Sequence, residues 1–428
     1  MKQKPGDLVE IELKDEKISG ILMPSLKEDF VVVKLDNGYN IGISRKKIKS
    51  IKKKKGGKKL KVGYAQKLRH KKNLPTISIL HTGGTIASKV DYSVGGVITS
   101  FKAEDLLGMF PELADIANIR TKLIAELMSE DMMFPHYKLM AKAVEEEIKQ
   151  GVKGIIIGQG TDTLGYTAAA LSFIFNNLPI PVILVGAQRS SDRGSSDAGS
   201  NLICAAKFIA KTDFRGVAIC MHEGMDDESC LILPAVKTRK MHTSRRDAFK
   251  AVNTRPIARI DYKTGKITYL SKNYYMPEKG KLEIKDKFET KVGILRTYTN
   301  MNNDIFEFFN EKKYKGLVLE SSGIGQAPTN IKENLPNYES LKKFIKKEGI
   351  VVLTSQCIFG RVHPNIYTNC RRLVDIGIIF AEDMLTETAY IKLAWLLGNY
   401  SKEEAKKLFS KNLRGEISER TERDTFLI

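Results

Sequence analysis

Long apolar stretches are absent from this chain of 428 residues. No segment approaches the ~18 consecutive apolar residues of a membrane span, and the N-terminus lacks the hydrophobic core of a signal peptide. The expectation is a soluble cytoplasmic protein. Cysteine is scarce: the five residues Cys204, Cys220, Cys230, Cys357 and Cys370 are odd in number and show no paired ligand spacing. That excludes a disulfide framework and a cysteine-rich zinc site, and all five read as buried thiols in a reducing compartment. The six histidines form no zinc pattern, so no metal ligand is assigned. Nucleotide-binding loops are missing as well. The glycine-rich stretches carry neither the Gly-Lys-Ser/Thr of a phosphate-binding loop nor a dinucleotide fingerprint.

Acidic residues are absent from one region. Between Arg45 and Lys72 stand fifteen Lys or Arg and no Asp or Glu, so most of the formal charge of +20 sits there. Such a block implies a polyanionic partner, nucleic acid first, or else a solvated Lys-rich linker.

What is present divides the chain into four parts. Residues 1–60 hold strand-like runs at Asp7–Leu13, Ile18–Met23 and Phe30–Leu35, then the hairpin signal Asp36-Asn37-Gly38 and a returning Tyr39–Ile43. Short strands in this space predict a small SH3-like β-barrel. Residues 61–74 complete a basic linker that begins near Lys52. Residues 75–280 alternate buried strands with helical periods, the βαβ pattern of an open parallel sheet with flanking helices. Residues 281–428 repeat that pattern in a smaller α/β domain. It closes with helices over Thr386–Leu397 and Lys402–Phe409, and a charged tail from Glu416 that reads as loosely held. The fold class is α/β, a larger and then a smaller parallel sheet behind the barrel.

Two stretches carry chemistry. The buried run Thr76–Leu80 leads into Thr82-Gly83-Gly84-Thr85-Ile86-Ala87-Ser88, and Gly154–Gly158 leads into Gln159-Gly160-Thr161-Asp162-Thr163. In both, glycines free backbone N–H groups and a threonine stands at the carboxyl end of a strand, where open α/β sheets hold ligands. Taken singly, each also reads as a strand-to-loop turn whose hydroxyls bond their own backbone.

Together the two loops resemble the signatures of the bacterial-type L-asparaginase family, and the resemblance runs over roughly residues 75 to 410. It extends to Asp91–Gly96, similar to the loop of the family's active-site tyrosine, here Tyr92. It includes Ser129-Glu130-Asp131-Met132, similar to the segment that holds a substrate α-carboxylate, and the stretch Gly186–Leu202. Ala235-Val236-Lys237-Thr238 is aligned with the segment supplying the family's lysine.

The resemblance implies an amidohydrolase. Thr85 is the nucleophile and Tyr92 relays its proton. The N–H groups of Gly84 and Gly160 stabilise the oxyanion. Thr161, Asp162 and Lys237 form a second group, in which a buried Lys237 beside Thr161 acts as base. Direct attack by a water activated at Thr161 stays open. Ser129 and Glu130 bind substrate. Without the resemblance, Lys237 reads as one more surface cation, and Asp162 as a helix cap. Gln159 stands where many members carry histidine, and Glu130 where glutamine is common. Gln326 falls near a position that completes a neighbouring protomer's site.

The barrel and basic linker extend the resemblance to one branch, the D subunits of archaeal glutamyl-tRNA(Gln) amidotransferases. It implies ammonia release from glutamine or asparagine, passed through a tunnel to a partner, the E subunit of the amidotransferase, in a heterotetramer. That partner converts Glu-tRNA(Gln) to Gln-tRNA(Gln) with ATP and Mg²⁺, so no cofactor is expected in this chain. The asparaginase-like core implies a homodimer. Two other readings remain: a free cytoplasmic L-asparaginase, and an inactive RNA-binding scaffold.

Overall fold

Alternating apolar residues fold the N-terminal region into a five-stranded antiparallel sheet: Leu8–Glu12, Lys17–Met23, Phe30–Lys34, Asn40–Ser44 and Ser50–Lys53. The last strand returns beside the first, pairing Ile51 with Ile11. Val9, Ile11, Val31, Val33 and Ile43 face inward as its core. The linker therefore starts later than the charge run indicates. Lys52 and Lys53 belong to the fifth strand, and Lys53 pairs with Asp7. The molecule is a computed structural model describing residues 3–4, 6–23, 29–35, 40–54, 70–82, 89–91, 96–98, 106–107, 110–189 and 196–426. The hairpin signal Asp36–Gly38 and most of the basic linker lie outside the described residues.

The larger domain is built on an eight-stranded sheet. Five strands are mutually parallel: Asn118–Leu123, Thr76–His81, Gly154–Gly158, Pro181–Val185 and Gly216–His222, in that spatial order. Ser229–Pro234, Ala258–Asp261 and Ile267–Tyr269 extend it antiparallel, so the sheet is mixed where an all-parallel one is expected. The central strands are apolar throughout because helices cover both faces. Ile155 and Ile157 pack with the helices Phe134–Lys149 and Leu164–Ile174, whereas Ile156 and Ile183 pack with Ala198–Lys211. Each such isoleucine is fully buried, which contributes about 1.5–3 kcal/mol per side chain.

The smaller domain has a four-stranded parallel sheet, Val292–Arg296, Gly316–Ser321, Ile350–Ser355 and Ile379–Phe380. The helix Thr386–Asn399 joins the domains: Trp395 stacks on Phe173 of Leu164–Ile174 at 5.5 Å between ring centroids. The helix Lys402–Phe409 follows, opened by a capping box between Ser401 and Glu404. The tail is anchored where it begins. Glu416 is fully buried, 2.5 Å from Lys392 Nζ, and accepts from the backbone N–H of Leu413 and Arg414. Its charge reads as surface composition, yet a buried lysine opposite makes it core. Four cysteines are buried as expected, but Cys357 is exposed in the loop after Ile350–Ser355. Among the described residues no helix is long and apolar enough to cross a membrane.

Candidate active site

Parallel pairing puts the ends of three strands in one row. His81 pairs with Gly158, and Gly158 with Val185. The row continues past the strands: Thr82 N donates to Gly158 O at 3.1 Å and Gln159 N to Val185 O at 3.1 Å. The two threonine-bearing loops thus leave the sheet side by side, at its carboxyl edge. Thr85, Gly84 and Tyr92 lie outside the described residues.

The second loop is seen in full. Thr161 is nearly buried, while Asp162 keeps 62% of its side chain exposed. Ser129 is buried beneath them: its Oγ accepts from Asp162 N at 3.3 Å and lies 3.5 Å from Asp162 Oδ2. Thr163 Oγ1 donates to Ser129 O at 2.6 Å and accepts from Gln159 Nε2 at 3.2 Å. The Thr163 hydroxyl, itself held by the buried Gln159 amide, therefore fastens the 129–131 turn to the strand end. Glu130, in the same turn, is exposed.

Close approach explains two glycines here. A Cβ on Gly160 would stand 2.8 Å from Ser129 Oγ, and one on Gly186 would stand 2.7 Å from Thr161 Cγ2. Gly186 is held in turn by Asn201, whose Nδ2 donates to Gly186 O at 3.0 Å. Asp197 fixes Gln188 and Arg189, accepting from their backbone N–H groups and from Asn201 Nδ2.

The lysine beside Thr161 is Lys240, and Lys237 is elsewhere. Lys240 Nζ lies 2.9 Å from Thr161 Oγ1 and 2.8 Å from Asp162 Oδ1. Lys237 Nζ instead meets Asp383 Oδ2 of the smaller domain at 2.6 Å, with both side chains buried. Burial pushes the Lys237 ammonium below its ordinary pKa, against the pull of Asp383. The reason is local geometry. A turn closes from Lys237 N to Pro234 O, and the chain then runs extended through Thr238–Lys240, paired antiparallel with Phe249–Ala251. An odd offset along extended chain sends side chains to opposite faces, so Lys237 enters the core while Lys240 reaches the site. That alternation is the signal that could have found Lys240. The apolar run Cys230–Val236 announces that the residue after it is drawn inward.

Gln326 lies in the smaller domain, where its carbonyl accepts from Ser322 N at 3.0 Å. Among the described residues no group of three or more His, Cys, Asp or Glu could hold a metal ion.

The arrangement brings together a hydroxyl, an ammonium and a carboxylate at the carboxyl edge of the sheet. That set suits attack on an amide carbonyl and capture of an amino acid's charged ends.

Comparison with known proteins agrees. Residues 76–275 match the model described as Asparaginase, N-terminal, and residues 291–409 the Glutaminase/Asparaginase C-terminal domain. Residues 3–53 match the GatD N-terminal domain. The chain is 46% identical to the D subunit of a glutamyl-tRNA(Gln) amidotransferase from Pyrococcus furiosus, over all of this chain and 95% of that one. A Methanococcus maripaludis protein of the same name is 44% identical, covering 97% and 98%. The thermostable L-asparaginase from Thermococcus kodakarensis superposes with a TM-score of 0.71 at 30% identity, over 80% of this chain and 99% of the other. L-asparaginase I from Vibrio cholerae gives 0.69 at 28%, over 81% and 99%.

Proposed function

This chain belongs to the asparaginase family, in the branch of the glutamyl-tRNA(Gln) amidotransferase D subunits, and we propose from that premise that it releases ammonia from glutamine or asparagine for a tRNA-dependent amidotransferase complex. The observation that carries the reading is Lys240 Nζ within hydrogen-bond reach of both Thr161 and Asp162, on the strand end next to the one that leads to Thr85.

The substrate's amide enters between the two loops. Ser129 and Glu130 hold its α-carboxylate end and Asp162 its ammonium. The Thr85 hydroxyl attacks the amide carbon, and its proton passes by way of Tyr92 toward the leaving nitrogen. Backbone N–H groups at Gly84 and Gly160 stabilise the oxyanion. The C–N bond breaks, ammonia leaves, and an acyl ester remains on Thr85. Water then attacks that ester, with Thr161 and Lys240 exchanging the proton. Lys240 takes the place that the sequence pattern gives to Lys237. A water activated directly at Thr161 is the alternative first step.

Free ammonia is lost to bulk water, so the reading includes a second protein, the E subunit of the amidotransferase, that receives it and amidates Glu-tRNA(Gln) with ATP and Mg²⁺. The assembly is a cytoplasmic heterotetramer around a homodimer of this chain, with Gln326 reaching the neighbouring copy's site. The N-terminal sheet, which a plain asparaginase does not need, supports the coupled enzyme over a free one. Ammonia release by the chain alone, then with partner and charged tRNA, tests the reading. Low basal release that rises on assembly is expected. Brisk release with no response to either would make it a free asparaginase.

A further inference from the structure

The carboxyl edge of the larger sheet holds the amide site; the opposite edge holds a groove of about 1050 Å³. Its walls come from the chain just before or at the start of four strands, at Pro75–Thr76, Val152–Lys153, Pro181 and Phe214–Arg215, together with Tyr269, Met276 and Lys279. Strands of five to seven residues separate the two edges, on the order of 17–23 Å at ~3.3 Å per residue.

The groove is cationic. Lys153, Lys211, Arg215 and Lys279 line it against a single carboxylate, Asp213. Asp213 is engaged by Lys153 at 3.2 Å, and Lys211 donates one hydrogen bond to Gly265 O at 3.0 Å. Each lysine keeps further donors. Among the described residues the Arg215 and Lys279 side chains have no carboxylate opposite them.

An aromatic platform accompanies the charge. Tyr269 is 49% exposed and lies parallel to Tyr274, with 6.1 Å between ring centroids and 8° between planes. Tyr269 thus offers exposed aromatic surface on the groove wall, with a second ring beside it. The basic segment of the chain also arrives here, since Lys71 and Lys72 lead into Pro75 on the groove wall.

We propose that this groove binds a segment of single-stranded RNA, phosphates on Lys153, Arg215 and Lys279 and a base stacked on Tyr269. A cationic track beside an open aromatic face is how proteins hold unpaired nucleotides without reading sequence. An acidic protein segment would use the cations but leave the ring idle. The site is independent of the amide chemistry: it lies at the other edge, and occupation leaves the strand ends near Thr161 open.

The test uses the full chain and a labelled oligouridylate of about ten nucleotides, followed by anisotropy across a salt series. In every variant the linker is unchanged, so differences report the groove. Arg215→Glu with Lys279→Glu should weaken binding about tenfold or more and lower the slope of log K against log salt by about 1.4, from two phosphates at ~0.7 each. Tyr269→Ala should weaken binding about fivefold or more with the slope unchanged. Thermal unfolding and ammonia release should stay at the parent level in both. Unaltered affinity in the charge variant overturns the site. So does polyglutamate or inorganic polyphosphate displacing the oligonucleotide with Tyr269→Ala indistinguishable from the parent, which would assign the groove to an acidic protein or to any anion.

Discussion

Lys240 Nζ stands 2.9 Å from Thr161 Oγ1 although 79 residues separate them. Four structural choices deliver that contact: the strand Gly154–Gly158, the glycine after it, the turn at Lys237 and the short hairpin that carries Lys240. The side chain of Lys237, three residues away, takes no part in it and meets Asp383 instead.

The first prediction separates the two lysines. Lys240→Met should lower amide hydrolysis about 10²–10⁴-fold, the usual range for a displaced acid–base group, with little change in thermal midpoint. Lys237→Met should do the reverse, lowering stability first. Steady-state ammonia release and thermal unfolding of both variants decide it; full activity in Lys240→Met would remove this residue from the chemistry.

The second concerns the buried pair across the domains. Removing one partner, by Lys237→Met or Asp383→Leu, leaves an uncompensated interior charge and should cost about 3–5 kcal/mol. Removing both should cost less than the sum. A double-mutant cycle in urea measures this, and strict additivity would mean that the two groups are not coupled.

The third follows from contact at Gly186. Gly186→Ala adds a methyl 2.7 Å from Thr161 Cγ2 and 3.2 Å from Gln159 O. Neither neighbour is a flexible chain end, so Thr161 must shift. Hydrolysis should fall roughly 10- to 100-fold, while overpacking costs about 1–3 kcal/mol. Kinetics matching the parent would show that the pocket wall yields freely.

The fourth is a pH effect on stability. His222 is fully buried, with Nδ1 2.6 Å from Asn201 Oδ1 and Nε2 3.2 Å from Ser200 Oγ. Burial lowers its pKa from 6.5, with Arg246 adding to the effect and Asp197 and Asp227 opposing it. The folded state then binds fewer protons than the unfolded one below that value, so stability rises with pH. Acidification from 6.5 down to the folded pKa should progressively destabilise the protein. His222→Gln should flatten the slope in that window; an unchanged slope would place the effect on other groups.

The βαβ rhythm was legible because period-two and period-3.6 patterns follow directly from burial. The helix Lys402–Phe409 falls where its apolar spacing puts it, and strand Thr76–His81 ends one residue beyond the apolar run read from sequence. Thr161, Asp162, Ser129 and Gly160 meet as their motifs imply. Lys240 was hidden because a cation in a basic stretch has no apolar period, and only the hairpin register tells its face from that of Lys237. Glu416 was missed for a related reason. A carboxylate is buried only when a partner is buried opposite it, and Lys392 lies 24 positions earlier on a helix that reads as ordinary packing.

The Lys237–Asp383 pair also dictates an order of events on the ribosome. The carboxylate that neutralises Lys237 is translated 146 residues after it, and Asp383 is itself fastened by the N–H of Ser418, later still. Until those residues emerge, a nascent larger domain carries a lysine with no interior counter-charge, and that segment has to remain hydrated. The Lys237 side chain of the larger domain therefore gains its buried counter-charge only after residues 383 to 418 have been synthesised.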